Sequence, residues 1–305
     1  MHLVISHAAP PGPRCRAASR TLALPALQTL LARARAQRAL PASDTDLCPL
    51  PERLVAGTQV PDGLVPWAAW KAQAAGLYQS GQAWALITPC HLQVHADHVA
   101  MHDPHRLQLD EGPSRALLDA MAPYFAEDGI TLHWHSPRTW LAQGAALQDL
   151  PTAALARVRG QPIDPWIPRQ AQAGGLRRLQ NEMQMLLYTH PVNDARSATG
   201  QPAVNGFWIS GTGTAQPPQG QLLDLLARSA AQDDPQAWCT AWQTLDAGPL
   251  AQALARHTRN PEEPLCISLC GTAQGRSYTL GAPSAWQRLA QLFAARRPHT
   301  YLDDL

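Results

Sequence analysis

Histidines and acids are concentrated in one segment, TPCHLQVHADHVAMHDPHRLQLD, which covers residues 88–110. Alternate side chains of a strand share a face, so a strand over residues 91–101 places His91, Gln93, His95 and Asp97 on one side. An imidazole and a carboxylate on one face can share a cation, and this pair suits zinc, manganese or iron. His95 and Asp97 are therefore candidate metal ligands. The polar face of a half-exposed strand gives the same pattern and is the alternative interpretation.

A second polar set follows a predicted helix. Leu176, Leu179, Met183 and Leu187 recur at spacings of three and four, which indicates a helix with one buried stripe that ends before Pro191. After that helix we expect a turn, a buried strand over residues 204–209, and a loop at Gly211 and Gly213. The candidate binding residues in this stretch are His190, Asn193, Arg196 and Asn205. The alternative is purely structural: a helix end, a self-bonded turn and two glycines that permit a bend.

The remaining elements predict an α/β protein. We expect a strand over residues 2–6, helices over 21–39, 66–79 and 112–127, and a strand over 130–135. Trp67, Trp70 and Leu77 are expected to pack in the core from the second of these helices. Near the end we expect strands over 265–270 and 276–280 and a helix over 283–295. P-loop, Rossmann and α/β-hydrolase motifs are absent from the sequence.

Composition limits the classes of partner. The chain has 305 residues, a formal net charge of +1 and only 15% charged residues, which gives no reason to expect nucleic acid or an anionic membrane. Six cysteines occur without a CxxC pair, and no run of about 18 apolar residues occurs. We expect a soluble cytoplasmic protein with reduced thiols. Its low charge permits contact with a protein partner.

One stretch resembles a known family. HPVNDARSATGQPAVNGFWISGTG at 190–213, GQPIDPWIP at 160–168 and SGQAWALITPCHLQV at 80–94 are similar to ordered motifs of the archaeal-type cofactor-independent phosphoglycerate mutases. Val204 is one residue extra, and Pro89 stands where the family carries an arginine. The resemblance covers roughly residues 76–213. It implies a shortened alkaline-phosphatase-like core over 1–80 and 190–305, with a smaller α/β domain inserted at 81–189.

The resemblance also implies where catalytic groups belong. Ser43 and Asp44 stand in a frame loosely similar to the family's nucleophilic serine, although the same pair is typical of a helix cap. His7 occupies the place of a metal-binding aspartate, and His257 echoes a late histidine motif; with Asp44, these two are the candidate ligands of the family's metal centre. The family's Asp-His pair and its Asp-x-x-x-Gly-Ile element are missing after residue 213. A two-metal centre needs a full set of ligands, so the sequence predicts that the family's metal centre is incomplete in this chain.

The leading functional interpretation is a non-catalytic relative, a pseudoenzyme with a regulatory or ligand-sensing role. The chain also looks like bacterial proteins labelled as regulatory. If a small ligand is kept, the resemblance points to a phosphorylated three-carbon acid paired with Arg196, with Asn205 and the amides of Gly211 and Gly213 as further donors. One alternative is an active phosphoglycerate mutase or phosphatase that uses manganese or zinc and Ser43. The other is a protein-interaction module.

Overall fold

The computed structural model describes residues 1–9, 12–272, 274–281, 298–303 and 305. The helix predicted over 283–295 lies outside the described residues. The strands are β1 (His2–Ile5), β2 (Ala34–Pro41), β3 (Ala83–Cys90), β4 (Leu92–Val94), β5 (Val99–Met101), β6 (Thr131–Ser136), β7 (Thr139–Gln143), β8 (Gly206–Thr214), β9 (Gln221–Leu223), β10 (Leu265–Cys270) and β11 (Gln274–Leu280).

The helices are α1 (Pro13–Ser19), α2 (Pro25–Ala32), α3 (Leu50–Ala56), α4 (Trp67–Ala74), α5 (Glu111–Glu127), α6 (Leu155–Val158), α7 (Gly174–Tyr188), α8 (Pro191–Ala198), α9 (Ala227–Ala231), α10 (Pro235–Leu245), α11 (Ala251–Arg259) and α12 (Pro298–Leu302). A π-helical turn, Asp246–Leu250, joins α10 to α11. The fold is mixed α/β, as the sequence predicts. None of the helices in the described ranges is long and apolar enough to cross a membrane.

The chain divides into two compact units. The first contains residues 1–45, 50–58 and 218–305, and the second contains residues 46–49 and 59–217. The boundaries expected at 80/81 and 189/190 both fall inside the second unit. The division into a core over 1–80 and 190–305 with a domain inserted at 81–189 stays a prediction.

A five-stranded sheet forms the centre of the first unit, in the order β2-β11-β10-β1-β9. Strand β1 runs parallel to both β10 and β9, whereas β11 is antiparallel to β10 and β2 is antiparallel to β11. Strand β2 therefore runs in the same direction as β1. Leu3, Ile5, Ile267 and Leu269 lie on one face of this sheet and pack against the helices in a single hydrophobic core.

A distant carboxylate fixes one helix of the first unit. Asp246, which is buried, accepts hydrogen bonds from the backbone N–H groups of Ala26 and Leu27 at 3.1 and 2.8 Å. Those two N–H groups lie in the first turn of α2, where the helix itself supplies no acceptor. A negative charge at this end also interacts favourably with the helix dipole.

The second unit has a four-stranded antiparallel sheet in the order β6-β7-β3-β8 and a separate hairpin of β4 and β5. Helices α5 and α7 pack on the larger sheet through the main core of this unit. Helix α5 buries Leu117, Leu118, Met121 and Phe125, as its spacing predicts. The β6–β7 hairpin turns at Pro137 and Arg138.

Several predicted elements are wrong. The helix expected over 21–39 ends at Ala32, and residues 34–41 form β2, because this segment pairs with β11 over a long sequence distance. Helix α4 buries Ala68, Ala69 and Ala72, whereas Trp67 and Trp70 are half-buried and Leu77 is exposed. The strand expected over 91–101 is a hairpin, described below.

Candidate functional site

The helix-turn-helix at residues 174–198 positions the predicted binding residues. Helix α7 ends at Tyr188, and Pro191 begins α8 at the first helical position, where its missing N–H costs nothing. His190 precedes it, and its Nδ1 accepts a hydrogen bond from the N–H of Val192 at 3.2 Å. The turn expected at Asn193 and Asp194 is instead the first part of α8. His190 is thus the N-cap of a helix.

Asn193 is buried and bonded to backbone on both sides. Its Nδ2 donates to the carbonyls of Leu187 and Val204 at 2.7 and 2.8 Å, and its Oδ1 accepts from the N–H of Val204 at 2.8 Å. A side-chain amide has two donors and one carbonyl oxygen, so both donors are used. Asn193 therefore ties the end of α7 to the segment that leads into β8.

Arg196 is also buried, and its observed partners are backbone carbonyls. Its Nε donates to the carbonyl of Pro202 at 2.8 Å, and one terminal nitrogen donates to the carbonyl of Leu107 at 2.5 Å. Burial lowers the pKa of this guanidinium, while Asp110 acts in the opposite direction. The geometry makes Arg196 a bridge between two loops and α8.

Asn205 also bonds to backbone groups, next to the β4–β5 hairpin. Its Oδ1 accepts from the N–H of Leu92 at 2.7 Å, and its Nδ2 donates to the carbonyl of Leu92 at 2.9 Å. The amide therefore pairs with this residue as a neighbouring strand would. His91 bonds the carbonyl of Ala203 through Nδ1 at 2.8 Å.

An open groove of about 440 Å³ lies beside Asn193 and Asn205. This volume is within the usual range for small-molecule sites. The side chains that line it are those of Gln184, Met185, Leu187, Tyr188, Asn193, Asp194, Ser197, Ala203 and Asn205. Two large apolar groups stand exposed there: Met185 is 75% exposed and Tyr188 is 83% exposed. Both lie off the buried stripe of α7, and that break in the pattern is the sequence signal for the groove.

The groove carries a negative charge. Asp194 is the ionic side chain among the described residues that line it, whereas Arg196 is buried, is not among those residues and donates to two backbone carbonyls. A phosphorylated acid needs a cation or several free donors. The expected pairing of such an acid with Arg196 is therefore not supported by this geometry.

Gly211 and Gly213 belong to β8 and do not form a loop. Opposite them, the pairing shifts between Trp84 and Leu86 of β3, so β8 has an extra residue there. Gly211 has φ +62°, and a Cβ at this position would lie 3.0 Å from Cβ of Trp67. A glycine with positive φ in a bulge fits both constraints. The expectation that these glycines form an exit loop is wrong.

The histidine-rich segment is a tight hairpin. The backbone N–H of His95 donates to the carbonyl of His98 at 2.8 Å, so residues 95–98 form the turn between β4 and β5. The two imidazole rings stack at 4.6 Å, and Nδ1 of His98 lies 2.7 Å from Oδ1 of Asp97. This hydrogen bond lowers the pKa of Asp97. His95 and Asp97 are near each other through the turn and not through a shared strand face.

Ser43 and His7 both follow strands that end at one edge of the first unit's sheet. His7 comes after β1 in a left-handed conformation, φ +54°, and is exposed. Ser43 comes after β2, where its Oγ accepts from the N–H of Thr45 at 3.2 Å. Helix α3 begins only at Leu50, so the expectation that Ser43 and Asp44 cap it is wrong. The carboxyl edge of such a sheet is a common ligand position.

His257 lies at the opposite edge. It is buried in α11 beside Met1, Pro264 and Leu265, which are at the amino ends of β1 and β10. At about 3.3 Å per residue, the length of β1 and its flanks separates this edge from His7 by roughly 15 Å. Ligands bind zinc or calcium at about 2.0–2.6 Å. His7 and His257 therefore do not share a metal ion.

Within the ranges that the structure describes, no three His, Cys, Asp or Glu side chains are grouped as metal ligands. This holds for the hairpin with His95 and Asp97 and for the two edges with His7, Asp44 and His257. The predicted metal ligands thus lie at three separate places: the β4–β5 hairpin, and the carboxyl and amino edges of the first unit's sheet.

Comparison with known proteins finds similar solved structures at low identity. No family model matches the chain, and no curated protein matches it. The PH0037 protein from Pyrococcus horikoshii is 14% identical with a TM-score of 0.47, and the similarity covers 92% of this chain and 87% of that chain. A cofactor-independent phosphoglycerate mutase from Thermoplasma acidophilum DSM 1728 is 12% identical with a TM-score of 0.39, covering 100% and 98% of the two chains.

Proposed function

We propose that this protein is a non-catalytic binding protein with a regulatory or ligand-sensing role. One observation carries the proposal: His7 and His257, two ligands that a phosphatase-type centre would need, lie at opposite edges of one sheet. A pair of catalytic metal ions is about 3.5–4 Å apart, and each ion reaches its ligands within a few ångströms. A separation of roughly 15 Å along β1 is too large for that arrangement.

The groove beside α7 and α8 is the proposed ligand site. The carboxylate of Asp194, the ring of Tyr188 and the thioether of Met185 line it together. A carboxylate beside an exposed aromatic ring favours an organic cation, because both groups attract positive charge. The proposed ligand class is therefore a small organic amine with an apolar part, in place of the phosphorylated acid that the resemblance implies.

Thermal unfolding with a ligand panel tests this site. We expect small aromatic amines to raise the melting temperature and 3-phosphoglycerate to leave it unchanged. Asp194→Asn and Tyr188→Ala should each remove the amine effect, while Ser43→Ala, in the other unit, should keep it. A melting temperature raised by 3-phosphoglycerate and by none of the amines contradicts the proposal. A response to neither class, with capture of a protein partner, favours an interaction module.

A second candidate rests on a separate observation. Ser43 and His7 follow strands β2 and β1, which run in the same direction, so both lie at the carboxyl edge of the sheet. A metal-dependent phosphomutase or phosphatase would place its nucleophile and first ligand at such an edge. It predicts turnover with manganese or zinc that Ser43→Ala abolishes. Turnover that Ser43→Ala leaves unchanged contradicts this candidate.

A further inference from the structure

A second groove lies in the first unit, beside α9 and α10. Its volume is about 650 Å³, which is within the usual range for small-molecule sites. Leu225, Arg228 and Gln232 line one side, and their spacing of three and four residues places them on one face of the α9 turn. The other side is an exposed stripe of α10 whose members are four residues apart: Gln236, Thr240 and Thr244.

Part of the groove is apolar. Leu225 is 49% exposed, and the exposed methyl group of Ala237 also lines the groove. Helix α10 buries its large side chains, Trp238 and Trp242, in the hydrophobic core, so the stripe that lines the groove carries small side chains. The groove can therefore accept the apolar body of a ligand next to Leu225.

The hydroxyl groups that line the groove use their protons within the fold. Oγ1 of Thr240 donates to the carbonyl of Gln236 and Oγ1 of Thr244 to the carbonyl of Thr240, both at 2.9 Å. Oγ of Ser229 donates to the carbonyl of Leu226 at 3.1 Å. A hydroxyl has a single proton, so these groups do not supply donors to a ligand.

The charged groups of the groove differ in the same way. Oδ1 of Asp234 accepts from the N–H groups of Gln236 and Ala237, each at 3.1 Å, and so caps α10. Arg228 is exposed, and in the described part of the chain its guanidinium makes no hydrogen bond or ion pair. A guanidinium has five N–H donors in a fork that matches a carboxylate. The available donors are thus concentrated at Arg228.

The charge count favours a ligand with one negative charge. Arg228 is the cation among the described residues that line the groove, and the carboxylate of Asp234 lines it as well. A phosphate monoester carries nearly two negative charges at neutral pH and would meet one cation and one like charge. A monocarboxylate matches Arg228 alone.

We propose that this groove binds small monocarboxylic acids with an apolar chain. The carboxylate pairs with the guanidinium of Arg228, and the chain packs against Leu225 and the small side chains of α10. This site lies in the first unit and takes an anion, whereas the groove beside Tyr188 lies in the second unit and is proposed to take a cation. The two proposals are therefore independent.

Isothermal titration calorimetry of the full-length protein with octanoate tests the charged contact. We expect saturable binding that is about tenfold weaker for octanamide, which lacks the charge, and about tenfold weaker in Arg228→Gln. Arg138→Gln is the matched control, because Arg138 is an exposed arginine in the second unit, and it should keep the wild-type affinity. Equal affinities of the wild type and an Arg228→Gln protein that is folded by circular dichroism overturn the proposal, as does the absence of saturable binding.

The length of the acid tests the apolar contact. Burial of a methylene group favours binding, so the affinity should rise about two- to fourfold for each methylene between butyrate and octanoate. Ala237→Trp fills the groove from an exposed position and should abolish octanoate binding, whereas Asp194→Asn, in the other groove, should leave it unchanged. Octanoate binding that survives Ala237→Trp contradicts this location. Tighter binding of octyl phosphate than of octanoate overturns the choice of a monocarboxylate.

Discussion

Asn193 and Val204 exchange two hydrogen bonds, N–H to Oδ1 at 2.8 Å and Nδ2 to carbonyl oxygen at 2.8 Å. The pair is buried, and it joins helix α8 to the segment before β8. An asparagine that the sequence offers as a ligand contact is therefore a structural link between two backbone segments. The same side chain also holds the carbonyl of Leu187 at the end of α7.

Asn193→Ala should destabilise the protein. The buried N–H and carbonyl of Val204 would lose these partners, whereas the carbonyl of Leu187 keeps the N–H of His190, and each buried group without a partner costs about 1–3 kcal/mol. We expect the free energy of unfolding in urea to fall by roughly 2–4 kcal/mol. Ser197→Ala, an exposed change on the same helix, should stay within about 0.5 kcal/mol. Equal effects of the two changes would show that the buried pair does not stabilise the fold.

Gly211→Ala should be more damaging than a glycine change with the same backbone strain. Gly211 and Gly76 have φ values of +62° and +72°, but a Cβ meets Trp67 at 3.0 Å in the first case and nothing within 4 Å in the second. The left-handed conformation costs alanine about 1–2 kcal/mol in both. We expect a further 1 kcal/mol or so at Gly211 from the close contact. Urea unfolding of both variants measures the difference, and a larger loss in Gly76→Ala would contradict the bulge geometry.

Arg196→Met tests whether this arginine is structural. The variant removes donors from the part-buried carbonyl of Pro202 and the buried bond to Leu107, and we expect the free energy of unfolding to fall by about 2–4 kcal/mol. Arg178→Met removes an exposed ion pair with Asp128 and should cost no more than about 1 kcal/mol. A stable Arg196→Met protein that has lost binding of 3-phosphoglycerate would restore the ligand interpretation of this residue.

His257 should make stability depend on pH. Burial, and then the charge of Arg33, lower its pKa below the usual 6.5 of a histidine. Arg35 adds to this, and a backbone contact with Glu263 opposes it. The unfolded chain then binds a proton more readily, so stability is complete above about pH 6.5 and falls as the pH drops towards the folded-state pKa.

The variant His257→Gln isolates that contribution. The slope of the unfolding free energy between pH 7.5 and 5.5 should become shallower, by up to about 1.4 kcal/mol per pH unit. Part of the slope should remain, because burial also lowers the pKa of His2 and His135. Identical slopes for the wild type and the variant would mean that His257 does not titrate with folding.

Local patterns predicted the elements that depend on local sequence. The apolar spacing of Leu117 and Met121 indicates α5, and the alternation across residues 265–280 indicates the β10–β11 hairpin. The helix prediction for residues 34–41 is wrong because ARAQRALP contains helix-forming residues. Pairing with β11 makes this segment a strand. Tertiary pairing overrides local preference in such cases.

The contacts of the candidate site were not predictable from the sequence. Asn193 and Asn205 line a groove, yet Arg196 donates to carbonyl oxygens that no spacing rule connects to it. The turn at His95 and His98 contains no glycine or proline, so the alternating pattern predicts one continuous strand across it. The groove depends on Tyr188, whose exposure the sequence signals only by its place off the buried stripe of α7.

The metal content of the protein, purified without chelator and measured by mass spectrometry, tests the central claim most directly. Because His7 and His257 lie at opposite edges of the sheet, we predict no two-metal centre and no change in metal content for His7→Ala or His257→Ala. About two metal ions per chain, lost in both variants together with 3-phosphoglycerate turnover, would contradict this account and identify an active phosphomutase.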